Sequence, residues 1–94
     1  MSMEFFIVNI DSDVNIKRLI EEFNRLQSSF VLKLETNNFR DDSKVFNREK
    51  FFDHYSEIKK PIIGITKRRL DNNWFSDVSS DYSVAIVSTY QSKI

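Results

Sequence analysis

Residues 3–10 read Met-Glu-Phe-Phe-Ile-Val-Asn-Ile, and residues 62–66 read Ile-Ile-Gly-Ile-Thr. Both are short, nearly continuous apolar runs rich in β-formers. Such a run fits a central strand covered on both faces, whereas a strand with one wet face alternates. Between them the period changes. From Val14 to Ser28 the apolar residues Ile16, Leu19, Ile20, Phe23 and Leu26 recur at helical spacing, with Lys17, Arg18, Glu21, Glu22 and Arg25 outside that stripe. Asp11, Ser12 and Asp13 precede this helix as candidate caps. The chain thus opens strand, helix, then strand again, which is the signature of a parallel α/β sheet.

The remaining elements follow from the same rules. Residues 30–36 alternate, Leu32 and Leu34 against Lys33 and Glu35, as an edge strand does. Residues 37–43 are polar and read as a loop. Asn47 caps a second helix to about Lys59, with Phe51, Phe52, Tyr55 and Ile58 inward and Lys59 and Lys60 at the negative end of its dipole. Pro61 stops it. After 62–66 come a turn at Asp71, Asn72 and Asn73, a short rim strand at 74–78, and a last strand at 83–90. We therefore expect one domain over residues 1–94: a small mixed, mostly parallel α/β sheet of four or five strands with two helices. Counting strands in chain order, the expected sheet order is 2-1-3-5-4, with the rim strand antiparallel.

Composition narrows the function classes. The 94 residues carry 14 basic and 14 acidic side chains, which argues against a dedicated duplex DNA binder and against an acidic DNA mimic. With no cysteine and one histidine, no disulfide, thiolate nucleophile or conventional zinc site is possible within one chain, and no cofactor or metal is expected. No stretch approaches the ~20 apolar residues of a membrane span, so no membrane partner and a cytoplasmic address are expected.

Three groups of residues bear on chemistry. Lys67, Arg68 and Arg69 could contact an anion, and with Trp74 and Phe75 nearby they could bind single-stranded nucleic acid by stacking. The plainer reading is a solvated loop whose tryptophan plugs the core. Asp71, Asp77 and Asp81 follow the second central strand, where carboxylates could hold a hard cation or do acid–base work, yet each sits in a turn that wants Asp for backbone capping. His54 and Glu57 share a helix face but make only two ligands. Gly64 is the only glycine, so there is no glycine-rich phosphate loop. No catalytic residue is assigned.

The run from Pro61 to Tyr90 is more specific. A strand ending Gly64-Ile65-Thr66 leads to a turn with Leu70 and Asp71, then Asn73-Trp74-Phe75, then the strand Val84-Ala85-Ile86-Val87-Ser88. This resembles the segment ahead of the zinc helix in archaemetzincin-type metallopeptidases, and the earlier strand–helix order resembles that family's amino-terminal half. The family's His-Glu-x-x-His helix, third His and zinc cysteines would follow residue 94, and Lys67-Arg68-Arg69 stands where the family is Asp-rich. The resemblance therefore implies no zinc ligand and no peptidase activity. It implies a rim strand lining a cleft, here Asn73, Trp74, Phe75, Ser76, Asp77 and Val78, able to pair with an extended peptide.

The expected function is a non-catalytic protein-binding or structural domain, resembling a truncated or split metallopeptidase. The alternative is a small nucleic-acid-binding module using Lys67–Arg69 and Trp74. A carboxylate enzyme is the third reading. Two helices roof a sheet of this width incompletely, so a protein partner or homodimer is expected, with Trp74, Phe75, Val84, Ile86 and Tyr90 near the contact.

Overall fold

In chain order the elements are β1 (Met3–Asn9), α1 (Ile16–Leu26), β2 (Phe30–Leu34), β3 (Val45–Phe46), α2 (Arg48–Tyr55), β4 (Ile62–Thr66), β5 (Arg69–Leu70), β6 (Ser76–Val78) and β7 (Val84–Ser88). They are taken from a computed structural model that describes residues 3–58 and 60–91. Lys59 and the last three residues, on which part of the helix-end and chain-end expectations fell, lie outside the described residues. Five strands form one sheet in the order β2-β1-β4-β7-β6, parallel except for β6 against β7. The class expected from the sequence is the class observed. A separate parallel pair, β3 with β5, was not expected.

The two apolar runs lie side by side as β1 and β4, with Val8 opposite Gly64. Alternate side chains go to opposite faces. On one face Val8, Ile62, Val84 and Ile86 pack with Phe51, Phe52 and Tyr55 of α2. On the other, Ile7 packs with Ile16 and Ile20 of α1, flanked by Leu32, Ile63 and Ile65. The α2 side is the larger core, with Phe39, Phe46 and Phe51 meeting ring to ring at 5.3–5.6 Å.

Several local expectations are corrected. The α1 cap is Asn15, whose side chain accepts from the Arg18 amide at 3.1 Å. Asp11 is instead drawn to Arg68. Leu19 and Leu26 are exposed, because α1 presents only Ile16 and Ile20 fully to the sheet. The Asn47 cap holds, accepting from Lys50 N–H at 3.1 Å, but α2 ends at Tyr55 and leaves Ile58 exposed. The polar loop 37–43 contributes Phe39 to the core. The rim strand starts at Ser76, not Trp74. Val84 and Ile86 are fully buried under α2, so they cannot line a partner contact; Ala85 and Val87, on the opposite face, are the less covered side chains of β7.

Candidate partner-binding edge

The two outer edges of the sheet differ. In β2, Glu35 N–H donates to Ile7 C=O at 2.8 Å, so the odd-numbered residues face β1 and the even-numbered ones face outward. Two of those outward positions are closed by side-chain amides. Asn24 Nδ2 donates to Leu32 C=O at 2.8 Å while Leu32 N–H donates to Asn24 Oδ1 at 2.9 Å. Gln27 treats Phe30 in the same way, at 2.6 and 3.1 Å. Each amide supplies the donor and the acceptor that a further strand would have offered.

At β6 nothing equivalent is found among the described residues. Ser88 N–H donates to Phe75 C=O at 2.7 Å and Ser79 N–H to Val84 C=O at 2.8 Å. By antiparallel alternation Asp77 and Ile86 are then the hydrogen-bonded pair between them, and the N–H and C=O groups of Ser76 and Val78 point away from the sheet. An unpaired edge of this kind is a template for another strand.

The residues predicted for the rim lie together here, with different roles. Asn73 occupies the left-handed region at φ 64°, a conformation that asparagine tolerates. Trp74 and Phe75 are 72% and 62% exposed, so the core-plug reading of Trp74 is overturned. The turn closes by Trp74 N–H donating to Asn72 Oδ1 at 3.0 Å, which leaves the indole outside. Trp74→Ala is accordingly expected to change stability by less than about 0.5 kcal/mol. As the only tryptophan, Trp74 should emit at long wavelength and be readily quenched; blue-shifted, protected emission would contradict the placement. Val78 shares a face with Ala85 and Val87, while Asp77 points to the α2 side.

Arg48 fixes that side. Its Nε donates to Asp71 Oδ1 at 2.6 Å and its Nη1 pairs with Asp77 Oδ2. Asp71 and Asp77 are thus brought together, but on a guanidinium, as its counter-ions. Partial burial disfavours the Arg48 charge, but the hydrogen bonds and charges of the two carboxylates outweigh it and raise its pKa. Sequence reasoning missed Arg48. The available signal was a cation in the first turn of a helix, where the dipole disfavours it unless carboxylates are near.

Asp81 serves the hairpin between β6 and β7. Ser79 and Ser83 hydroxyls and the Ser83 N–H donate to it, holding its carboxyl down to about 2. Tyr82, beside it, is exposed at φ 61°, an uncommon conformation for a bulky residue. Among the described residues no group of three or more His, Cys, Asp or Glu could hold a metal ion. His54 is exposed and packs edge-on against Phe39 and Tyr55.

The basic loop does not form one patch. Arg68 turns inward: Nε donates to Asp11 at 2.7 Å, and Nη1 to the carbonyls of Asp41 and Ser43 at 2.7 and 2.8 Å, over the Phe46 ring. Asp11 also accepts from the Thr66 hydroxyl and the Lys67 N–H. These contacts line one side of a cavity of about 310 Å³ at the carboxyl ends of β1 and β4, the switch point where doubly wound folds hold ligands. Arg69 pairs with Asn73, and only Lys67 and Arg69 stand exposed.

No family model matches the chain, and no curated protein or solved structure matches it. No helix among the described residues is long and apolar enough to cross a membrane.

Proposed function

We propose that the chain is a non-catalytic protein-binding domain that receives an extended segment of a partner along the outer edge of β6. The observation that carries this is the asymmetry of the sheet: Asn24 and Gln27 close two outward positions of β2, and Ser76 and Val78 leave the β6 edge open beside exposed Trp74 and Phe75. Backbone pairing supplies affinity in such a mode and flanking side chains supply selection. The resemblance to the amino-terminal half of archaemetzincin-type peptidases fits this reading, since what it implies for this chain is a peptide-pairing rim without a catalytic set.

The test is Val78→Pro. Proline removes an outward N–H and leaves the β6–β7 ladder intact, which an edge strand tolerates. Extended heptapeptides selected on the native chain are expected to lose at least about tenfold in affinity for the variant. In the native chain, amide exchange at Ser76 and Val78 is expected to slow when a selected peptide is added. Peptides that bind Val78→Pro equally, without slowing those two amides, would overturn the reading.

The exposed Trp74 favours one second reading, a module that stacks single-stranded nucleic acid. Against it, Arg68 is committed to Asp11. Trp74 quenching by an oligonucleotide, with steep salt dependence, would support this reading over the first.

A further inference from the structure

We propose that the segment received by β6 carries a lysine or arginine between two apolar residues, with the basic side chain directly across from Asp77. The inference rests on the edge reading above and concerns which sequence that edge selects.

The faces of β6 differ in chemistry. Ser76 and Val78 point to the side where Ala85 and Val87 are incompletely covered. Asp77 points to the other side, into a groove of about 370 Å³ between α2 and the β6–β7 hairpin. Its lining includes Glu49, Asp53, Asp77 and Asp81 and no basic side chain. Asp77 shares Arg48 with Asp71. Glu49, Asp53 and Asp81 have no ion-pair partner among the described residues. Glu49 and Asp53 are four apart on one helix, a spacing at which like charges repel. Asp81, with its pKa near 2, stays ionised at neutral pH.

A strand added to β6 inherits this division. Side chains alternate, and directly opposed residues lie on the same face with Cβ atoms roughly 4.5–5.5 Å apart. The residue across from Asp77 therefore reaches over the acidic groove, and a Lys or Arg stem is long enough to enter it. Its two neighbours fall opposite Ser76 and Val78, on the apolar face. The pattern apolar–basic–apolar satisfies both sides in either strand direction. A second copy of this chain fits poorly. Pairing β6 with its twofold mate so that Ser76 meets Val78 sets Asp77 against its own counterpart, and opposed like charges destabilise a strand pair.

The experiment uses the full chain and three labelled peptides with the core Thr-Val-X-Val-Thr, where X is Lys, Glu or norleucine. Anisotropy at low salt is expected to show the Lys peptide binding about tenfold more tightly than the Glu peptide, with norleucine between. Glu49→Gln with Asp53→Asn, both on the exposed face of α2, is expected to narrow that gap, as is added salt. Equal binding of the Lys and Glu peptides, lost for both in Val78→Pro, would overturn the charge inference and leave the edge reading standing. No binding by any of the three, or binding indifferent to Val78→Pro, would overturn both. Sedimentation as a dimer that excludes the peptides would assign the edge to a second copy, and this inference would fail.

Discussion

Phe51→Ala is expected to destabilise the domain by about 3–5 kcal/mol. A chain of this length is stable by roughly 5–14 kcal/mol, so the variant should sit near the limit of folding. Phe51 is fully buried and stands at the middle of the aromatic cluster, with ring centroids 5.1 Å from Tyr55, 5.3 Å from Phe39 and 5.6 Å from Phe46. Its ring also occupies the space that Gly64 leaves by lacking a side chain. A Cβ at Gly64 would come 2.9 Å from Phe51 Cε2 and 2.9 Å from Ile86 Cδ1, closer than real Cβ atoms approach. Gly64→Ala alone is therefore expected to cost about 1–3 kcal/mol by overpacking. The two changes should relieve one another, since the alanine methyl enters the cavity that Phe51→Ala opens. Urea denaturation of both single variants and the double variant measures the coupling. Strictly additive losses would mean that the ring does not rest on Gly64.

Arg68→Ala is expected to cost about 2–4 kcal/mol, while Arg69→Ala one position on should cost less than about 0.5 kcal/mol. Only 16% of the Arg68 side chain is exposed, and it joins three segments: Asp11 after β1, the Asp41 and Ser43 carbonyls of the 37–43 loop, and the Phe46 ring. Removing it leaves Asp11 with the Thr66 hydroxyl and the Lys67 N–H but without its counter-charge. Arg68→Lys should recover little, because one ammonium cannot span the carboxylate and both carbonyls in the guanidinium geometry. Denaturant midpoints at neutral pH check both. Equal, small effects at Arg68 and Arg69 would return Arg68 to the solvated loop that the sequence suggested.

The parts of the fold legible in the sequence are those governed by periodicity. Continuous apolarity at 3–10 and 62–66 identified the central strands, and Asn47 marked the start of α2, because these signals are local. What escaped was fixed by distant partners. Phe39, a single apolar residue in a polar loop, is buried only because Phe46 and Phe51 meet it. Arg68 reads as surface charge until Asp11, 57 residues away, is beside it. Trp74 reads as core because large aromatics usually are, but its N–H closes the turn on the Asn72 side chain and its indole stands outside. The rim is legible as an edge, although only Ser76–Val78 of it is strand. That β2 would be closed is not legible, since Asn24 and Gln27 look like ordinary polar helix residues until β2 lies along them.

Those two amides also bear on growth beyond one or two molecules. A sheet bare at both ends adds copies head to tail, each new edge recruiting the next, and nothing closes such a series short of a fibre. Here β2 contains Leu32-Lys33-Leu34, itself a run of the apolar–basic–apolar pattern proposed for the β6 partner. Asn24 holds the Leu32 backbone at the start of that run, and Gln27 holds Phe30 two residues before it. The chain is in effect a terminator for its own sheet: β6 stays bare, while the backbone of β2 that would complement it is held at Phe30 and Leu32.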